Sequence, residues 1–219
     1  MALGAFKGSR KGFDRLPEAP VSIEQAPLYG MYTRYGPIVP NVHEWRPGDV
    51  IVSRRNRVGN KAITAYQQLL GLKETALWSH VAIYAGDGFL WDATPGHHIQ
   101  GRSTGEFVRT VVEFGVFRLI GPKLDAETLN RHIREQSTQR YNVGTYLFEL
   151  ASRAIPFTGR RQDLKLPSAS VICSVFVERV LFRTAGRQIF DDIPVPVPAD
   201  FADPTRFNAL DLRWCRPAA

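Results

Sequence analysis

The stretch WSHVAIYAGDGFLWDA, residues 78–93, constrains the fold more than any other part of the chain. Two apolar runs, 79–85 and 89–93, flank Gly86-Asp87-Gly88. Apolar runs on either side of a glycine-containing loop form an antiparallel hairpin. This hairpin carries one histidine, His80, and one acid near its far end, Asp92. With the turn centred on residue 86, the two are expected directly opposite each other, Cβ atoms about 4.5–5.5 Å apart. A slip of one residue would send one of them to the other face.

The flanking sequence fills in the remaining elements. RPGDVIVSRR (46–55) gives a turn at Pro47-Gly48 and a strand at Val50–Ser53. NKAITAYQQLLGL (60–72) suits a helix with Ile63, Tyr66, Leu69 and Leu70 near one face and Gly71 as its stop. GEFVRTVVEFGVFRLIG (105–121) reads as further β structure, clearest at Val111-Val112 and Val116–Ile120. Asp125 caps a helix through about Gln136, and Val143, Leu147, Leu150, Ala151, Ala154 and Ile155 mark an amphipathic helix closed by Pro156. In SASVICSVFVERVLFR, Ile172, Val175, Phe176 and Val180 share a helical face that Val177 and Leu181 widen, so this helix is expected to be largely buried. Ser168 or Ser170 would cap it, placing Cys173 in or near the first turn. The prolines of IPVPVPADFADP exclude a central strand. Residues 1–45 read as an N-terminal arm or irregular cap, and 46–219 as one domain with a proline-rich C-terminal segment.

A chain of 219 residues with 44% hydrophobic and 22% charged residues buries a full core. No apolar stretch approaches the roughly 18–20 residues needed to span a bilayer, and the opening stretch lacks the apolar region of a secretory signal. The default compartment is therefore cytoplasmic, and export by a signal-independent route would leave the same sequence. Cys173 and Cys215 do not make a disulfide framework and have no neighbours at zinc-ligand spacing. Lys plus Arg less Asp plus Glu, 28 − 21, gives +7, which favours anionic partners such as phospholipid surfaces. The basic runs at 53–61 and 159–162 lack the interleaved aromatics of a single-strand binder, so no nucleic acid is expected. His97 and His98 lack a third ligand and read as a solvated loop, so neither a metal nor another cofactor is expected.

Chemistry concentrates on three residues. A cysteine at a helix start feels unpaired backbone N–H groups and the positive end of the dipole, both of which favour thiolate. An imidazole within reach completes the activation, and a carboxylate fixes the imidazole. Cys173, His80 and Asp92 fit these roles, and Trp78, Trp91, Arg54 and Arg55 are candidate substrate contacts.

The order PGDVIV, SHVAIYAGDGFLWDA, ICSVFVERV resembles the circularly permuted papain-like cysteine hydrolases, the branch of the NlpC superfamily that includes YiiX-like and lecithin:retinol acyltransferase-like proteins. In that branch the histidine strand precedes the cysteine helix, as here. Gly48-Asp49 matches the family's strand start, His80 its histidine, Asp92 its third polar residue and Cys173-Ser174 its helix start. The resemblance covers about residues 46–183. It implies an α+β permuted papain-like fold, an antiparallel, partly barrel-like sheet packed on the cysteine helix. Three activities follow as expectations: a thiol amidase or peptidase acting on peptide or cell-wall amides, a lipid-directed phospholipase or acyltransferase that works at an anionic membrane surface, and an inactive interaction module. Delivery into another cell as a toxin is a further, minor expectation.

Overall fold

A computed structural model of the 219-residue chain describes residues 32–33, 36–37, 39–40, 42–54, 58–72, 75–94, 97–111, 113–141, 170–193, 195–210 and 214–215. In chain order its principal elements are β1 (Val50–Arg54), α1 (Val58–Leu69), β2 (His80–Gly86), β3 (Phe89–Ala93), β4 (Ile99–Ser103), α2 (Thr104–Thr110), β5 (Glu113–Leu119), α3 (Ala126–Gln136), α4 (Cys173–Ala185) and β6 (Phe207–Ala209). The strands form one sheet in the order β6-β5-β1-β2-β3-β4, with every pairing antiparallel. The expected antiparallel sheet is therefore present, as an open sheet whose edge strands β6 and β4 do not pair with each other among the described residues. The amphipathic helix expected at 143–155 lies outside the described residues.

Strand alternation assigns each face its own core. Val50, Val52, Val81 and Ile83 face α4 and α3, packing with Phe176, Val180, Leu129 and Ile133 and with Phe190 and Phe201 of the tail. Ile51, Ala82, Tyr84, Leu90, Phe114 and Val116 face the other way, against Phe107 of α2 and Trp45. Each such fully buried side chain contributes about 1.5–3 kcal/mol of transfer free energy. The proline-rich tail is not a sheet strand: Pro198–Ala202 form a 3-10 helix. Asp125 caps α3 as expected, its Oδ2 accepting from the Thr128 N–H at 2.7 Å, and the buried residues of α4 include the Val175, Phe176, Val177, Val180 and Leu181 stripe. Among the described residues no helix is long and apolar enough to cross a membrane.

Three expectations are corrected. The hairpin pairs Ile83 with Trp91 and Tyr84 with Leu90, so partners sum to 174 rather than 172. Ala85 is an extra residue between the Tyr84 and Gly86 pairings. Asp87 and Gly88, at φ 50° and 79°, form the two-residue loop, since an Asp-Gly pair accepts the positive φ that such a turn needs at both positions. His80 is consequently not directly across from Asp92. It is one diagonal step away, and because the slip is two residues rather than one, both side chains keep the same face.

The second correction is α2, where β structure was expected from 105 onward. Ser103 accepts from the Glu106 N–H at 3.2 Å while the Glu106 carboxylate accepts from the Ser103 N–H at 3.1 Å. This reciprocal capping box starts the helix and overrides the β-branched residues behind it, with strand structure resuming only at Glu113. Val111 is the helix C-cap rather than a strand residue.

The third concerns α1, where the expected apolar face of Ile63, Tyr66, Leu69 and Leu70 has no fully buried member. Leu69 is 87% exposed, and among the α1 side chains described the buried one is Gln67. Its Nε2 donates to the carbonyls of Ala76 (2.9 Å) and Trp78 (2.7 Å), and its Oε1 accepts from the Ala199 N–H at 3.0 Å. Gln67 therefore ties the segment entering β2 to the tail. Gln67→Leu would keep the volume and orphan three backbone groups. We expect a loss of about 3 kcal/mol in urea unfolding, and a change below about 1 kcal/mol would show that water replaces the clamp.

Candidate active site

The site grows from the start of β2. His80 is 5% exposed and Asp92 is fully buried. The His80 Nε2 lies 2.7 Å from Asp92 Oδ2, which makes Nε2–H the donor and leaves Nδ1 as the lone-pair nitrogen of the neutral ring. Two residues not singled out from the sequence complete the cluster. Arg102, across from Leu90 on β4, reaches diagonally to Asp92. Its Nη2 donates to Oδ2, its Nε to Oδ1 at 3.3 Å, and Nη2 also donates to Thr94 Oγ1 at 3.1 Å. The Thr94 hydroxyl donates to Asp92 Oδ2 at 3.3 Å. The His80 ring stacks on Phe107 with centroids 6.4 Å apart, and the Arg102 guanidinium lies 5.7 Å over the same Phe107 ring. Phe107 thus bridges imidazole and guanidinium.

Electrostatics follow from these contacts. Burial pushes the Asp92 carboxyl upward, but the His80 hydrogen bond and the charges of His80 and Arg102 outweigh it and hold the group well below the usual carboxylate range. Asp92 is therefore a permanent anion at neutral pH, with its oxygens occupied by donors.

Cys173 is the first residue of α4. The expected serine cap is corrected: Ile172 is the N-cap and supplies no side-chain bond, while Ser170 belongs to a two-residue strand paired parallel with Arg140–Tyr141 and Ser168 lies outside the described residues. The cysteine thus begins the helix itself, where the dipole acts most strongly. It forms no disulfide and is 6% exposed. It belongs to the same apolar core as Val81 and Ile83, under α4, whereas His80 is on the face of Ala82, Tyr84 and Phe107. The structure thus brings His80 and Asp92 together on one face and sets Cys173 in the core of the other.

The remaining candidates are placed as follows. Trp78 and Trp91 are partly buried and pack against the α4-side core. Trp91 lies across Gly101, where a Cβ would come within 2.9 Å of its ring. Arg54 pairs with Glu113 at 3.2 Å at an exposed strand end, and Arg55 lies outside the described residues. His97 and His98 are exposed. Asp49 is structural: its carboxylate accepts from the Arg46 N–H at 2.7 Å and from Arg118 Nε and Nη2 at 2.8 and 2.7 Å.

The fold and the site together define a mixed α/β protein with a six-stranded antiparallel sheet and a buried His-Asp-Arg cluster on one face. No family model matches the sequence, and no curated protein matches it. Among solved structures the chain is similar to the crystal structure of the metalloprotein YiiX from Escherichia coli O157:H7 (DUF1105), with 12% identity, 77% of this chain and 98% of that chain covered, and a TM-score of 0.55. The likeness is one of fold. Among the described residues no three His, Cys, Asp or Glu side chains gather as a ligand set, and Arg102 places a fixed cation on the Asp92 oxygens.

Proposed function

We propose that the protein is a thiol hydrolase of the permuted papain-like type, with Cys173 as nucleophile, His80 as general base and acid, and Asp92 as the group that orients the imidazole. The observation that carries this reading is the buried 2.7 Å contact between His80 Nε2 and Asp92 Oδ2, which leaves Nδ1 as the proton acceptor. The position of Cys173 at the first residue of a helix without a side-chain cap supports it. The reaction requires Sγ and Nδ1 to meet past the entry of β2, where His80 is the first strand residue.

In the proposed cycle the thiol proton passes to His80 Nδ1 as Sγ attacks the carbonyl carbon of an amide or ester. The tetrahedral intermediate collapses by breaking the bond to the leaving group, which takes the proton from His80. Water, deprotonated by His80, then cleaves the acyl-thioester to the free acid and restores the thiol. Amides of peptide or cell-wall type are the substrates this reading favours, and phospholipid esters are the alternative for the same chemistry.

The test is intact-mass spectrometry after mixing with an activated p-nitrophenyl ester. An acyl adduct mapped to Cys173 and lost in Cys173→Ala is expected. An adduct at no residue, in a folded protein, would sink the hydrolase. The second reading, an interaction module, is favoured by the burial of Cys173 on the face opposite His80.

A further inference from the structure

We propose that Arg102 is a positioning residue that holds His80 in its neutral, proton-accepting form by pre-neutralising Asp92. The inference deepens the hydrolase reading and rests on it for its catalytic meaning, while its effect on His80 stands on geometry alone. Arg102 grips both Asp92 oxygens and is tied to Thr94, which itself donates to Asp92. Phe107 packs against both the Arg102 guanidinium and the His80 ring.

The argument is charge balance in a buried place. Asp92 is fully buried, and the Arg102 side chain is 16% exposed. Buried ionic groups are tolerated when their charges cancel. With Arg102 present, a carboxylate and a guanidinium already sum to zero, so protonating His80 would add an uncompensated charge. Without Arg102, the carboxylate would be balanced only by an imidazolium, and His80 would hold a proton that a general base must lack. A lone Asp-His pair would thus favour His80 as a cation; the third group reverses that preference.

Among the described residues, the other charges near His80 do not substitute for Arg102. On β1 its direct partner is Ser53, a fully buried hydroxyl. On α2, Glu106 is turned back to cap Ser103. At the strand ends Arg54 and Glu113 neutralise each other. On α4 the titratable group at the helix start is Cys173, whose proton the proposed reaction moves to His80.

The experiment is a nitrogen-15 NMR pH titration of the histidines in the full chain, with His80 assigned by His80→Gln. In the wild type at pH 7, His80 should appear as the neutral Nε2–H tautomer, and an imidazolium signal would overturn the proposal without any variant. In Arg102→Gln the His80 midpoint should rise by about one pH unit; Arg102→Lys, which keeps the charge, should restore most of it. An unchanged midpoint in folded Arg102→Gln would leave Arg102 a purely structural residue. The same titrations in a Cys173→Ala background remove any contribution of the thiol to these signals. An unreactive thiol with a shifted His80 would remove the hydrolase and keep the Arg102 inference; a reactive thiol with an unshifted His80 would do the reverse.

Discussion

His80→Ala is expected to slow the alkylation of Cys173 by iodoacetamide at pH 6.5 by on the order of tenfold or more. A free cysteine, with a pKa of roughly 8.5, is about 1% thiolate at that pH. Helix-start placement moves it part of the way down, and a neutral imidazole that takes the thiol proton as Sγ attacks supplies the remaining activation. Because intrinsic nucleophilicity falls along with pKa, the gain in rate is smaller than the gain in thiolate, which is why the expected factor is modest. Cys215→Ser removes the background of the second cysteine. Asp92→Asn should fall between wild type and His80→Ala, since an amide still holds the ring but offers no charge to the imidazolium formed on proton transfer. Equal rates in wild type and His80→Ala, with a rate maximum only in alkali, would mean that the thiol and the imidazole do not communicate across the sheet. Cys173 would then be a core residue under α4, and the interaction-module reading would replace the hydrolase.

What could be read from the chain, and what could not, follows physical lines. The hairpin at 78–93, the strand from Val50, the Asp125 cap and the buried stripe of α4 declare themselves because each rests on local signals: alternation, a turn dipeptide, a cap and a 3.6-residue period. His80 and Asp92 share a face in any register differing by an even number, so the pair survived a register error of two. Arg102 had no such signal. Its sequence neighbourhood, IQGRS, carries no alternation or turn dipeptide, and its contact with Asp92 depends on how β4 pairs with β3, which no local rule fixes. The Ser103-to-Glu106 capping box was present in the letters but lay beside β-branched residues that pointed to strand. Gln67 was missed for a different reason. Periodicity assigns apolar residues inward, whereas here the inward position answers three backbone groups that only the tertiary fold brings to it. The side of the sheet on which Cys173 sits was equally unreadable, because which face a helix covers is decided by distant packing.

Asp92→Ala is expected to cost about 3–5 kcal/mol at pH 7, because it leaves the Arg102 guanidinium mostly covered and without its carboxylate. Against a typical stability of about 5–15 kcal/mol, that is a large share. Asp92→Asn preserves shape and isolates the charge. The sign of its pH dependence follows from the depressed carboxyl of Asp92. An acid whose folded-state value lies below its unfolded value of about 3.9 contributes stability that is fully present above that pH. The contribution then drains away as the pH falls toward the folded-state value. The deficit of Asp92→Asn against wild type, measured by urea unfolding, should therefore be largest at pH 7 and smaller at pH 3. A double variant, Asp92→Asn with Arg102→Gln, should recover part of the loss at pH 7, since it removes the uncompensated cation that the single change leaves behind. A deficit of equal size at both pH values would assign the loss to packing instead of charge, and a double variant no better than the single would mean that water or a neighbour already satisfies Arg102. If both expected results hold, Asp92 and Arg102 form one electrostatic unit on which His80 is mounted, and the same carboxylate that stabilises the fold at neutral pH fixes the ring that the proposed chemistry needs.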